Sequence, residues 1–306
     1  MASGRGSSIK SEIDLAMGKL YEISSLRCSY DRNYKEGASR IVVDIRNLMI
    51  PKGKKVFIVG ESGIGKSTIL EVLGLMNNTI VDSSDSRFVF YDKDDNPVDL
   101  LSLWTRNDDD ELSGFRLNHF NFIFQSNDLM RNFTAYENVA LTRMLQGYSR
   151  EEAFGKAAKV LADLGLGHIS EDRMPHELSG GQQQRLAFAR ALLPDCTVLF
   201  GDEPTGNLDG DNAAKAMVLL SDKISELKEC SAIIVSHDMH LAVTFADVII
   251  KIRKEESVLD IARDEIVSHG VIDNDCIYVP LAGRDQWTNG TESYKTSDFE
   301  SFLKKI

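Results

Sequence analysis

The run Gly60–Glu61–Ser62–Gly63–Ile64–Gly65–Lys66–Ser67 fits the pattern G-x-x-x-x-G-K-[ST] without a mismatch, and Thr68 follows it. Each residue type meets one requirement of holding a polyphosphate. Glycines let the backbone wrap an anion without Cβ interference. The N–H groups of residues 62–68 then turn inward at a helix N-terminus, where the helix dipole favours negative charge. Lys66 supplies a mobile positive charge for the outer phosphates, and the Ser67 hydroxyl is placed to ligate Mg²⁺. The flanks agree, with Val56–Phe57–Ile58–Val59 as a buried strand before the loop and Ile69, Leu70, Val72 and Leu73 as the apolar face of a helix after it. A nucleoside triphosphate site is the expectation, and a chance glycine turn would have to match strand, loop and helix in register.

Three more apolar runs end in polar side chains. Asn121–Phe122–Ile123–Phe124 leads to Gln125, which could reach a metal or an attacking water, or could be an ordinary strand-end glutamine. Cys196–Gly201 leads to Asp202 and Glu203. In that pair Asp202 would hold Mg²⁺ and Glu203 would orient or deprotonate the water that attacks the γ-phosphate. The alternative is an acidic pair capping the next helix. Ser231–Ser236 leads to His237, which alone reads equally as a surface histidine or a ligand. Four buried strands that each end in polar chemistry are the way an open α/β sheet builds a site at the carboxyl ends of its strands. Separately, Leu178–Ser179–Gly180–Gly181–Gln182 opens the helix Leu186–Leu192. One serine suffices for a cap, so two glycines at that N-terminus require another reason. Gly206–Asn207–Leu208–Asp209 reads as a turn with a cap. Tyr30 precedes a polar loop and could stack on a base, with Tyr34 as the alternative.

The elements that would position these groups follow in order. Met1–Ser8 reads as disordered and Ile9–Leu20 as a short helix; Tyr21–Ile23 with Leu26–Cys28 suits an edge strand. Ile41–Ile45 runs into Leu48–Ile50, a turn at Pro51–Gly53 follows, and Phe88–Tyr91 is a further strand. Asp108–Glu111 reads as a solvated loop, because a calcium loop needs alternating ligands and a glycine. Thr134 with Glu137 and Ser149 mark helix starts, and Ala153, Ala157, Leu161 and Leu164 make a stripe at helical period. Ala213–Glu229 reads as an amphipathic helix. The chain of 306 residues carries a net charge of −12, which argues against a protein held to nucleic acid by bulk charge. Its four cysteines form no C-x-x-C pair and are expected to be reduced thiols. No apolar run approaches the roughly 18 residues needed to cross a bilayer, and Met1–Lys10 has no apolar signal core.

Taken together, Gly60–Thr68, Gln125, the intact Leu178–Gln182, Asp202–Glu203, Gly206–Asp209 and His237 occur in the order that resembles ATP-binding-cassette (ABC) ATPases, over roughly residues 20 to 252. Pro175–Arg185, Asp202–Asp209 and Phe133–Val139 are most similar to the lipoprotein-releasing, macrolide-exporter and cell-division subgroup. The resemblance implies an α/β fold: a P-loop NTPase, the ABC nucleotide-binding domain, with an antiparallel β subdomain, a mostly parallel core sheet and a helical signature subdomain. It implies an N-terminal leader at 1–19, the ATPase domain at 20–252 and a C-terminal extension at 253–306. It also implies hydrolysis of ATP with Mg²⁺ by a head-to-tail dimer of two copies, coupled to an integral membrane permease-type subunit at the inner face of the cell membrane, with no direct nucleic-acid contact.

In each composite site one copy would contribute Tyr30, Gly60, Glu61, Ser62, Gly63, Ile64, Gly65, Lys66, Ser67, Thr68, Gln125, Asp202, Glu203 and His237. The other would contribute Ser179, Gly180, Gly181 and Gln182, and Asp209 would tie the two sites together. Two departures stand out. Gly201 is often alanine in relatives, a change expected to be tolerated. The tail beyond Arg253 is the larger one, since relatives often end soon after the strand matched by Ala246–Ile250; it reads equally as a packing appendage or a docking element, with Trp287–Thr296 polar and Phe299–Phe302 in a short helix. Other readings of the chain are a soluble ABC ATPase working on a ribosome or nucleic-acid machine, and a nucleotide-gated scaffold with weak catalysis.

Overall fold

The computed structural model describes residues 18–31, 40–81, 84–106, 108–124, 128–206, 210–226, 230–260, 265–281 and 283–305. Two compact units organise the chain, Met1–Asp109 with Val235–Ile306 and, between them in sequence, Asp110–Ile234.

The first unit begins with β1 (Lys19–Cys28), β2 (Val43–Pro51), β3 (Lys55–Val59), α1 (Lys66–Leu73), β4 (Ile80–Val81), β5 (Arg87–Tyr91), β6 (Pro97–Asp99) and α2 (Leu100–Thr105). The second unit holds most of α3 (Asp109–His119), then β7 (Phe120–Ile123), α4 (Ala135–Leu145), α5 (Arg150–Asp163), α6 (Gly180–Leu192), β8 (Val198–Asp202), α7 (Gly210–Glu226) and most of β9 (Ser231–Val235). The chain then returns to the first unit with α8 (Met239–Phe245), β10 (Val248–Lys251), β11 (Arg253–Asp260), β12 (Glu265–Ile272), β13 (Ile277–Pro280), β14 (Gln286–Thr288), β15 (Ser293–Lys295) and α9 (Thr296–Lys304).

Two sheets build the first unit. One runs β11-β12-β2-β1-β5-β6, with β4 also on β1, and its neighbours are antiparallel except for the parallel pair β12/β2. The other joins β3 to β10 in parallel and extends through β13, β14 and β15 in antiparallel steps. The strand expected at an edge, Tyr21–Cys28, is instead central, between β2 and β5. Its patchy alternation has a local cause. Ser25 sits at φ 53, which shifts the phase, so that Tyr21 and Ile23 before it and Leu26 and Cys28 after it are all buried. Lys19 and Leu20, expected to end a helix, are strand residues; the rest of that expected leader, residues 1–17, lies outside the described residues.

In the second unit β9, β8 and β7 are successive neighbours, and β7 pairs with β8 in parallel. Helix α4 starts with the expected capping box, Thr134 with Glu137, and α5 starts at the expected cap Ser149, where Glu152 completes a second box. The stripe Ala153, Ala157, Leu161 and Leu164 is buried. Asp109, Asp110 and Glu111 form the first turn of α3 rather than a loop, exposed and at the helix end where acidic groups are favoured. The expected helix at Ala213–Glu229 is α7, and residues 227–229 lie outside the described set.

The tail is not polar where it matters. Trp287 is fully buried on β14 and stacks on Phe299 of α9 at 5.1 Å, with Tyr278, Tyr294 and Phe302 around Phe299. The Lys251 ammonium donates to the carbonyls of Phe302 and Lys305 and lies over the Phe302 ring, so β10 holds the end of α9 directly. Burial lowers the Lys251 pKa. Trp287→Ala is expected to cost about 3–5 kcal/mol of unfolding free energy, the range for an aromatic removed from a packed core. Urea unfolding measures it, and a cost within about 0.5 kcal/mol, as at a surface position, would contradict the packing described.

Candidate functional site

In the first unit β3 ends at Val59 and α1 begins at Lys66, so Gly60–Gly65 must turn a strand into a helix within six residues. Gly63 at φ 76 and Gly65 at φ 103 make the turn, a region of backbone conformation that side-chain-bearing residues rarely adopt. Gly65 is doubly constrained, since a Cβ there would lie 2.3 Å from the Val43 Cγ2 methyl of β2. It also forms the N-terminal cap of α1 with no side-chain hydrogen bond, and no acidic residue occupies the first turn of that helix. The end of α1 is therefore an anion site in the general sense, made of amides and a helix dipole.

Lys66 is buried at 6% exposure, and its ammonium reaches back across the loop to the carbonyls of Gly60 at 2.9 Å and Glu61 at 2.6 Å. A lysine held inside the turn keeps its charge within reach of an anion that the loop amides bind. Ser62 and Ser67 are exposed, while Ile64 and Thr68 are buried. Tyr30 joins this cluster. Its hydroxyl is 3.0 Å from the Thr68 hydroxyl, and the residue is 56% exposed, so an aromatic side chain is anchored at the start of α1. Tyr34, the alternative, lies outside the described residues. His237 is exposed two residues after β9, just beyond Ser236, whose amide donates to Ile58 of β3. Ser236 accepts from the Asp238 amide, and Asp238 caps α8, which fixes the backbone on both sides of the histidine.

In the second unit Asp202 ends β8 and is half-buried. Glu203 follows at φ 47, an uncommon conformation for a residue with a side chain. The turn after it is closed by the Gly206 amide on the Glu203 carbonyl at 3.0 Å. Gln184 of α6, 5% exposed, donates to the Pro204 carbonyl in the same turn. Glu203 thus directly follows the end of β8, in a turn that precedes the start of α7 at Gly210. Gly201 is more constrained than expected: a Cβ there would meet Pro204 at 3.1 Å, so an alanine requires the proline ring to shift by a few tenths of an ångström.

Ser179 caps α6. Its hydroxyl accepts from the Gln182 amide, and the Gln182 side chain accepts from the Ser179 amide. Gly180 and Gly181 are exposed, and a Cβ on either would meet nothing within 4 Å. Gln125 and Asp209 lie outside the described residues. Sequence reasoning missed Gln184, which it passed over inside a run of three glutamines, and Val42 and Val43, at the start of β2, that close on Gly65.

A glycine-rich phosphate loop between strand and helix, a strand ending in two carboxylates and a capped glycine pair at a helix start define a P-loop nucleotide-binding cassette. The family comparison gives the class: the ABC transporter family matches residues 43–206, and the chain belongs to that family. It is 35% identical over 212 residues to the lipoprotein-releasing system ATP-binding protein LolD of Rickettsia bellii, covering 69% of this chain and 87% of that one. It is 38% identical over 232 residues to the macrolide export ATP-binding/permease protein MacB of Vibrio parahaemolyticus, covering 75% of this chain and 32% of that larger protein. Among solved structures, the dimeric form of MJ0796, a bacterial ABC transporter cassette, is 30% identical with a TM-score of 0.62 and covers 76% of this chain and 94% of its own. A post-hydrolysis state of the same cassette, bound to ADP and Pi, matches equally. The chain is therefore an ABC-type ATPase, a nucleotide-binding subunit of the LolD and MacB type. No helix among the described residues is long and apolar enough to cross a membrane.

Gly65→Ala combines a forbidden φ with a collision against Val43, and is expected to lower ATP affinity by about tenfold or more while the protein stays folded. Equilibrium titration with a fluorescent ATP analogue measures it, and unchanged affinity would mean that the loop does not need this geometry.

Proposed function

We propose that two copies of this chain close head-to-tail on ATP and Mg²⁺, and that the closing and reopening drives a separate integral membrane subunit to which the chain binds at the inner face of the membrane. The observation that carries the reading is the bare glycine pair at the start of α6. Gly180 and Gly181 have open space where side chains would be, so nothing within the second unit requires them to be glycine. A surface that excludes side chains at a helix N-terminus suits close approach by an anion brought by another molecule. The dimeric form of a 30%-identical cassette supports the same arrangement.

In this reading the loop amides and Lys66 bind the phosphates, and Tyr30 offers its ring to the base. Ser67 and Asp202 are oxygen donors of the kind Mg²⁺ prefers, with Gln125 as a further ligand or as an orienting group for water. The metal ion, when bound, neutralises charge on the transferred phosphoryl group. Glu203 orients and deprotonates the attacking water, and His237 contacts the γ-phosphate. Ser179 of the partner subunit, with the partner's Gly181, completes the same phosphate's shell, and Asp209 links the two sites. Closure then follows from differential contact, because ATP carries the phosphate that both copies touch and ADP does not. Extrusion, lipid or lipoprotein extraction and mechanical signalling are all compatible uses of that stroke by the membrane subunit.

Glu203→Gln should bind ATP, lose turnover by about a hundredfold or more, and elute as a dimer only when ATP and Mg²⁺ are present. Size-exclusion chromatography with light scattering checks this, and a monomer under those conditions counts against the composite site. Tagged Glu203→Gln, extracted from native membranes in mild detergent with ATP, should bring down a multi-span protein in stoichiometric amount. Recovery of soluble partners alone, such as ribosomes or a nuclease, would reject the membrane role.

A further inference from the structure

The family match ends at residue 206, yet Ile252 and the start of the tail reach the phosphate loop directly. Three contacts do so within the first unit. Gly270 of β12 packs on the loop so closely that a Cβ there would lie 2.4 Å from the Ile64 carbonyl and 2.9 Å from the Ile252 side chain. Ile252, between β10 and β11, is 3% exposed and donates its amide to the Val59 carbonyl, and a Cβ on Gly60 would meet it at 3.3 Å. The Lys254 ammonium lies 3.5 Å from the Glu61 carboxylate. The hairpin β11/β12 that carries Lys254 and Gly270, and that Ile252 leads into, is itself fixed. Gly270 donates to the Val42 carbonyl, Arg46 of β2 pairs with Glu255 at 2.7 Å, and Arg253 pairs with Asp275 at 2.9 Å.

We propose that Ile252, Lys254 and Gly270 brace the phosphate loop, with Gly270 and Ile252 setting the backbone of Gly60 and Ile64 by contact and Lys254 holding Glu61. These are positioning residues, acting on ATP through the loop. The inference rests on the reading of Gly60–Thr68 as the ATP site. Its logic is steric. Val42 and Val43 crowd Gly65 at one point of the loop, and Ile252 and Gly270 crowd Gly60 and Ile64 at others. A loop confined at both places presents its amides in one arrangement, so binding does not have to select that arrangement from many. Movement of the hairpin would change ATP affinity through the loop, with no hairpin residue itself contacting ATP.

The test uses full-length Gly270→Ala, Lys254→Ala, Lys254→Arg, Phe302→Ala and Lys66→Ala, with MgATP as the probe. It reads equilibrium Kd, steady-state KM and kcat, and the melting temperature without nucleotide. Gly270→Ala should raise Kd and KM by about tenfold or more, since it displaces the Ile64 carbonyl. Phe302→Ala removes a half-buried ring from the tail's aromatic cluster; it should lower the melting temperature and leave Kd within about twofold. Lys254→Ala should raise KM about threefold with kcat unchanged, the scale of an exposed ion pair, and Lys254→Arg should restore it. A folded Gly270→Ala that binds ATP within about twofold of the parent overturns the brace. If Gly270→Ala does not fold, the lysine variants decide, and an unchanged KM in Lys254→Ala overturns it. Lys66→Ala keeps the two readings apart. Lost affinity there with normal affinity in the tail variants rejects the brace alone, and normal affinity in Lys66→Ala rejects the ATP site itself.

Discussion

The steric fit of Gly65 against β2 is the constraint on which the first unit depends. A turn from strand to helix at positive φ is accessible to glycine, but φ alone does not fix where the turn points. The Val43 methyl does that, at a distance no side chain on residue 65 could share. Lys66 is next in sequence, so the placement of Gly65 also sets the direction from which its ammonium crosses the loop to Gly60 and Glu61. Thr68, two residues further on, receives Tyr30 from the loop end of β1's connection. One contact with a neighbouring strand therefore orients a cation, an aromatic face and the first amides of α1.

A comparable economy operates in the second unit, on different residues. Helix α6 carries the bare glycines at its start and Gln184 one turn later, and Gln184 holds the turn that follows Glu203. The helix start and the acidic turn thus share one rigid element. The positive φ of Glu203 belongs to the same picture: an uncommon backbone conformation persists where its surroundings hold it, here through the Gly206 amide and the Pro204 contacts. Gly201 sits under that proline, which is why its lack of a side chain is less neutral than its small size suggests.

The elements that were legible in the sequence share a property: their signals are local. The phosphate loop, the caps at Thr134 and Ser149, and the stripe through Leu161 each depend on spacing within a turn or two. What was misread depends on partners distant in sequence. β1 looked like an edge strand because Ser25 breaks its alternation, and its central place comes from pairing with β2 and β5. The acidic run at Asp109–Glu111 looked like a loop because charge marks exposure and not backbone conformation. Trp287 lay in a polar stretch, and only the meeting of β14 with α9 explains why it is buried. In the same way the roles of Val43, Gln184 and Gly270 follow from contacts that no short pattern encodes.

The route of the tail gives these contacts their mechanical sense. β10 pairs with β3 in one sheet, β12 crosses to pair with β2 in the other, and β13 returns to β10. Within the first unit β10, β12 and β13 therefore tie together the two sheets that flank the phosphate loop. The outer strands β14 and β15 are three residues each, and α9 packs its aromatic face on them, which limits the exposed sheet edge beyond β13. A displacement of β12 relative to β10 would be felt on the loop from both sides, at Gly65 through β2 and at Gly60 through Ile252, because both glycines are already at contact distance. Close packing of this kind transmits displacement instead of absorbing it.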